Sequence, residues 1–122
     1  MCGRLNLTDA AEVIALLDSL GFDTRHLSPR FKEPRYNLAP TDSLLVAGVE
    51  AGRRFVRPMT CWLTPSWATQ LSRRYAMFNA RAEGLERSRA FASPFRQRRA
   101  VVPASGFIEW TLRNGRKQPL HI

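Results

Sequence analysis

Gly106-Phe107-Ile108-Glu109-Trp110-Thr111-Leu112-Arg113-Asn114-Gly115-Arg116-Lys117-Gln118-Pro119-Leu120-His121-Ile122 is the stretch whose reading decides the fold. Gly106–Thr111 is dense in aromatic and β-branched residues, which suit a pleated, half-buried strand. Asn114-Gly115 supplies two consecutive residues that tolerate positive φ, the requirement of a two-residue hairpin turn. Lys117–Ile122 is then the return strand. A return strand at the end of a chain leaves its far edge without a partner unless another segment or another molecule covers it. The expected architecture is therefore a β-rich α+β domain over residues 1–122 whose sheet stops partway.

Working outward, Arg99–Pro103 contains the strand-like Ala100-Val101-Val102, and Leu44-Leu45-Val46-Ala47 reads as a buried strand. A turn at Gly48–Gly52 leads to Arg53–Arg57 as its hairpin partner. Thr60–Leu63 reads as a further short strand ending before Pro65, and Met77–Arg81 as a strand end entering a helix over Glu83–Ala92. Residues 22–43 hold Pro29, Pro34 and Pro40 and read as extended loop. Near the start, Leu5 and Leu7 alternate with Arg4 and Asn6 as in a short strand. The clearest helix follows: Asp9 and Glu12 have capping-box spacing, Val13, Leu16, Leu17 and Leu20 repeat at helical intervals, and Gly21 is a stop.

Charge narrows the class of partner. Nineteen basic residues face ten acidic ones, a net +9. All the basic residues but Lys32 and Lys117 are arginine, whose fork matches phosphate oxygens bidentately and stacks on bases. Such a surface favours polyanions, nucleic acid first among them, although a basic protein that is merely soluble has the same composition. No apolar run is long enough to span a bilayer, and the N-terminus lacks the basic flank and apolar stretch of a signal peptide. A cytoplasmic location is the default expectation, with no membrane partner. Cys2 and Cys61 are expected to be reduced there. No metal or cofactor is expected.

Met1-Cys2 is an uncommon start. Removal of Met1 leaves Cys2 with an α-amine and a thiol on adjoining carbons. The amine titrates near ~7.7–8.0, so a useful neutral fraction exists at physiological pH. It attacks an aldehyde to give an imine, and the thiolate adds to the same carbon to close a thiazolidine. Arg4 would favour the thiolate. Glu109, flanked by Ile108 and Trp110, would have its carboxyl pKa raised by apolar surroundings and serve as a proton shuttle. Asn79 would fix the amine, and Arg81 would hold a phosphate. Each has a plainer alternative: an inert Cys2, a solvent-facing Glu109, and an Asn79 that caps a helix.

Taken in order, these residues fall in a series of motifs: Met1-Cys2-Gly3-Arg4, Arg35-Tyr36-Asn37-Leu38-Ala39-Pro40-Thr41, Trp62-Leu63-Thr64-Pro65-Ser66-Trp67, Phe78-Asn79-Ala80-Arg81-Ala82-Glu83, Ser88-Arg89-Ala90-Phe91, Gly106-Phe107-Ile108-Glu109-Trp110 and Lys117-Gln118-Pro119. The chain resembles the SOS-response-associated peptidase (SRAP) family, which includes abasic-site shield proteins. The resemblance implies a barrel-type sheet with flanking helices, removal of Met1 by the protein's own site, and thiazolidine capture of an abasic site in single-stranded DNA by Cys2. It assigns Asn79 to the neighbourhood of the amine and Glu109 to proton transfer. Arg4 and Arg81 match phosphate contacts; Asn37, Pro40 and Trp67 match loops that shape a DNA groove and wedge against bases.

The family histidine lies well beyond the Lys-Gln-Pro motif, and this chain ends at Ile122; His26 and His121 match no catalytic position. The expectation is a family domain truncated at its C-terminus, with an open sheet edge that favours homo-oligomers. Peptide hydrolysis in trans, a nucleic-acid binding module with a silent Cys2, and an inactive remnant are the competing readings.

Overall fold

In a computed structural model, which describes residues 3–72 and 74–122, the chain runs as strand Leu5–Leu7 (β1), helix Ala10–Ser19 (α1), and strands Arg35–Leu38 (β2), Ser43–Glu50 (β3) and Arg53–Thr60 (β4). Helix Ala92–Gln97 (α2) and strands Ala100–Val101 (β5), Gly106–Arg113 (β6) and Arg116–His121 (β7) follow. Short 3-10 segments cover Pro29–Phe31 and Ala82–Arg87. The strands form two sheets, ordered β2-β1-β6-β7 and β4-β3-β5, and every pairing between them is antiparallel. The result is an α+β fold built on a curled antiparallel half-barrel with few helices.

The core forms where β3 meets α1. Leu17, Leu27, Leu45, Ala47 and Val56 make one buried cluster, with Val13, Ile14 and Phe22 packed against it. Leu44, Leu45, Val46 and Ala47 are all buried, although successive side chains of a strand point to opposite faces. Leu45 and Ala47 belong to the cluster; Leu44, on the other face, lines a cavity together with Leu5 and Leu38 of the second sheet. A continuous apolar run is what a strand covered on both sides requires.

Helix α1 begins as its sequence indicates: the Glu12 amide donates to Asp9 Oδ1 at 2.9 Å. It ends at Gly21, whose φ of +80° is cheap only for glycine. Its buried face differs from the expected stripe, because Leu16 and Leu20 are each 54% exposed. Ala10 and Leu17 are buried and Val13 and Ile14 are packed on the core. Both sets satisfy the i, i+3, i+4, i+7 spacing, so periodicity alone does not choose between them. The surface of β3 and β4 makes the choice.

Both hairpin turns use positive φ at two successive residues: Ala51 (+49°) and Gly52 (+75°), then Asn114 (+50°) and Gly115 (+73°). This twist matches that of the flanking strands. The β6–β7 register pairs Arg113 with Arg116 through Ile108 with His121, and Pro119 sits on β7 at the sheet edge, where a missing N–H is tolerated.

Four other expectations change. Residues 22–43 contain β2 as well as loop. β4 runs unbroken to Thr60, so Thr60–Leu63 is not a separate strand. Met77–Arg81 forms no strand. The helix expected over Glu83–Ala92 is a 3-10 segment that stops at Ser88, which is extended (φ −71°, ψ 125°). Ser88 Oγ accepts the Phe91 amide at 3.3 Å, and α2 then starts at Ala92, with Pro94 in its first turn, where no intrahelical N–H is needed.

Leu45→Ala should lower stability by about 2–5 kcal/mol, because it opens a cavity in the cluster. Leu16→Ala, on the exposed side of α1, should stay within about 0.5 kcal/mol of the parent. Urea denaturation of the two variants distinguishes the observed helix face from the stripe read in the sequence.

Candidate functional site

The first described residues enter the structure through β1, the strand held on both edges in its sheet. Leu5 pairs with Leu38 of β2 and with Phe107 of β6. The Ile108 amide donates to the Arg4 carbonyl at 3.0 Å, and the Ser105 amide to the Asn6 carbonyl at 2.8 Å. Cys2 lies outside the described residues, but it is covalently joined to Gly3, and Gly3 lines a cavity of about 230 Å³. Arg4, Pro40, Cys61 and Asn79 line the same cavity, with Phe78 and Val102 among its apolar walls.

Arg4 is aimed by a local irregularity. Leu5 pairs with Leu38 while Leu7 pairs with Arg35, so two steps along β1 oppose three along β2. This bulge contains Asn37, whose φ is +55°. Its amide donates to Oδ1 of Asn6 at 2.7 Å, and its own Oδ1 accepts from Arg4 Nη1 at 2.7 Å. Asn6 is 7% exposed. A buried carboxamide thus holds the bulge, and the bulge holds the guanidinium. Asn6 was not among the sequence candidates; alternation of a polar residue with Leu5 and Leu7 suggested an outward, solvated side chain.

Pro40 is positioned by Asp42 and Cys61. Asp42 Oδ2 accepts the Ala39 amide at 2.8 Å, the Cys61 amide donates to the Asp42 carbonyl at 2.8 Å, and the Thr41 amide donates to the Cys61 carbonyl at 3.2 Å. This brings Cys61 to the cavity wall, a placement that its position after β4 does not reveal.

Glu109 is reached through register. Leu5 opposes Phe107 and Asn6 opposes Gly106; two further residues along the same ladder place Glu109 opposite Gly3. Directly opposed residues of an antiparallel pair share a face. Glu109 therefore stands on the face of Leu5, a residue of the cavity wall, and is half-buried, but it does not itself line the cavity. Its partner on the other side is Leu120 of β7.

Trp67 and Arg81 stand apart from this cavity. Trp67 is 52% exposed and lines a neighbouring cavity of about 300 Å³, with the Arg89 guanidinium 4.8 Å from its ring centroid. The two cavities meet at the Trp62 and Phe78 rings, whose centroids are 5.4 Å apart. Arg81 is exposed and precedes the Ala82–Arg87 segment, so it, and not Asn79, occupies the capping position. Among the described residues, no group of three or more His, Cys, Asp or Glu is gathered in a way that would hold a metal ion. No helix there is long and apolar enough to cross a membrane.

Residues 1–122 match the family described as SOS response associated peptidase (SRAP). The chain is 33% identical over 124 residues to the abasic site processing protein YoaM of Bacillus subtilis (strain 168), covering 100% of this chain and 53% of that protein. It is 31% identical over 110 residues to the abasic site processing protein YoqW of the same organism, covering 90% of this chain and 48% of that one. The abasic site processing protein HMCES of Xenopus tropicalis is 30% identical over 102 residues, covering 74% of this chain and 30% of that one. The chain spans about half the length of the Bacillus proteins.

Asn6→Ala removes the acceptor of the Asn37 amide and should lower stability by about 0.5–1.5 kcal/mol, the net contribution of a hydrogen bond. Asn37→Gly, which removes the exposed acceptor of Arg4 and leaves a residue at ease with a φ of +55°, should cost less. Denaturant titration of both variants checks the order.

Proposed function

The chain belongs to the SOS response associated peptidase (SRAP) family, and on that premise we propose that it captures abasic sites in single-stranded DNA as a thiazolidine through Cys2. The observation that supports the reading is a cavity lined by Gly3, Arg4 and the half-buried Asn79, beside a sheet register that extends to Glu109 opposite Gly3. The relatives named above as abasic site processing proteins support it.

The chemistry proceeds in three balanced steps. Hydrolysis of the Met1–Cys2 peptide bond, self-processing by the same site, consumes one water and frees the α-amine. The neutral amine then adds to the aldehyde carbon of the ring-opened deoxyribose. The carbinolamine loses its hydroxyl as water, with a proton supplied by Glu109, and becomes an iminium. The Cys2 thiolate finally adds to the same carbon and closes the ring; the proton given up by the thiol returns to Glu109. Asn79 orients the amine by hydrogen bonding. Arg4, held by Asn37 at 2.7 Å, supplies positive charge that favours the thiolate and attracts the lesion's phosphates. Pro40, Trp67 and Arg81 contact the strand on either side of the lesion. The net charge of +9 draws the polyanion toward the site. In this reading the protein works in the cytoplasm, on the nucleoid.

Single-stranded DNA with one abasic site, incubated with the protein, should give a shifted band on a denaturing gel. The band should be absent for Cys2→Ala and slowed by about 10²–10⁴-fold for Glu109→Gln, the range for loss of a positioned acid–base group. Intact mass should show a species lighter by one methionine. A preparation with a confirmed free Cys2 that forms no shifted band overturns the proposal.

A further inference from the structure

Four cavities among the described residues form a chain, and it leads well away from the site described above. Phe78 of the Arg4 cavity contacts Trp62, which lines the cavity of Trp67 and Tyr75. Trp62 and Leu63 also line a third cavity, of about 410 Å³, and Met59 and Arg98 of that cavity line a fourth, of about 180 Å³. Arg57 and Arg99 stand in the fourth cavity beside Arg98. Shared lining residues join the last three of these spaces into one series, and the Trp62–Phe78 ring contact sets the first beside it. The path runs from the start of β1, past an aromatic stretch, to an arginine cluster between the β3–β4 hairpin and the end of α2.

The chemistry of the path changes along its length in a definite way. Near Trp62 it offers partly exposed rings, each with a guanidinium set against it: Trp67 is 52% exposed with Arg89 4.8 Å from its centroid, and Tyr75 57% with Arg74 at 5.6 Å. At its far end it offers guanidinium groups. Arg57 lies 4.2 Å from the centroid of the Phe55 ring and Arg99 5.8 Å from that of Phe95, which keeps both planes oriented. Arg57 also bonds Glu50 Oε2 at 3.2 Å, whereas Arg98 and Arg99 have no acidic residue within three positions along the chain. Rings that accept unpaired bases, followed by cations spaced along a shallow path, are the features by which proteins hold single strands without reading sequence. A paired duplex keeps its base faces stacked inside and cannot use the rings.

We infer that Arg57, Arg98 and Arg99 form a distal phosphate-binding stretch that holds the single strand beyond the lesion, with Trp62 and Leu63 as the floor of the path between. The inference rests on the DNA-binding part of the proposed function and is independent of the crosslinking chemistry. A strand too short to leave the first cavity gains nothing from the cluster; a longer strand gains affinity from it.

The test uses the full chain and intact oligodeoxynucleotides without abasic sites, so a failure of capture leaves it readable. Affinity is measured by fluorescence anisotropy for strands of about 4 and about 16 nucleotides, across a salt series. Arg98→Glu/Arg99→Glu is compared with Arg113→Glu/Arg116→Glu, an equal change of charge placed on the exposed β6–β7 hairpin, outside the path. In the parent and in the hairpin variant the longer strand should bind tighter than the shorter. In Arg98→Glu/Arg99→Glu that gain should disappear, and the salt slope for the longer strand should fall by about 0.7 for each phosphate that the variant leaves unneutralised. Retention of the full gain by Arg98→Glu/Arg99→Glu overturns the inference. So does equal loss in the hairpin variant, or competition by polyglutamate as strong as that by the longer strand.

Discussion

The hydrogen bonding of a three-residue strand on both of its edges is the constraint on which the rest of this structure depends. β1 spans only Leu5–Leu7, too short to persist alone, yet β2 and β6 clasp it from either side. Chain termini generally fray unless a sheet or a docked helix ties them down. Here the sheet ties down Arg4, whose carbonyl accepts the Ile108 amide, one residue from Gly3, where the described chain begins. The clasp also joins distant parts of the sequence. Ser105 Oγ accepts the amides of Thr8 and Asp9 at 3.1 and 3.2 Å, so the loop before β6 fixes the entrance to α1.

Much of the fold was legible because its signals are local. Asn114-Gly115 specifies a hairpin by turn chemistry within a few residues, and Asp9 caps α1 through a contact three residues away. What was not legible depends on long-range choices. β2 hides among prolines because its partner, β1, lies some thirty residues earlier in the chain. The buried face of α1 is decided by β3 and β4, which its own periodicity does not encode. The 83–92 segment looked helical by composition, but Ser88 turns the backbone out of the helix.

The candidate site divides the same way. Cys2, Asn79 and Glu109 stood out as chemistry-bearing groups, and the β1–β6 register sets Glu109 on the face of Leu5, outside the lining of the cavity itself. The helix-cap reading of Asn79 loses its basis, since Arg81 occupies that position. Asn37 was assigned to the DNA groove from its motif, whereas the fold also engages its amide oxygen with Arg4. Asn6 and Cys61 carried no signal: one is a polar residue in a strand, the other follows a strand that was expected to end elsewhere.

Charge runs in a sequence are equally poor guides to charge patches in space. Arg53-Arg54 and Arg96–Arg99 look equivalent in the linear chain. Arg54 leans toward Gly21 at the end of α1, while Arg98 and Arg99 line one cavity with Arg57, a neighbourhood that no local pattern reveals. Several of the arginines are organised by rings: Arg57, Arg74, Arg89 and Arg99 lie 4.2–5.8 Å from the centroids of Phe55, Tyr75, Trp67 and Phe95. A guanidinium set against a ring keeps its N–H edges directed outward, because the ring engages only its plane. A carboxylate partner would occupy those same edges and cancel the charge. At Arg74, Arg89 and Arg99 orientation by a ring therefore fixes the geometry and keeps the positive charge for a polyanion, whereas at Arg57 the ring is joined by Glu50 Oε2 at 3.2 Å, which offsets part of that charge.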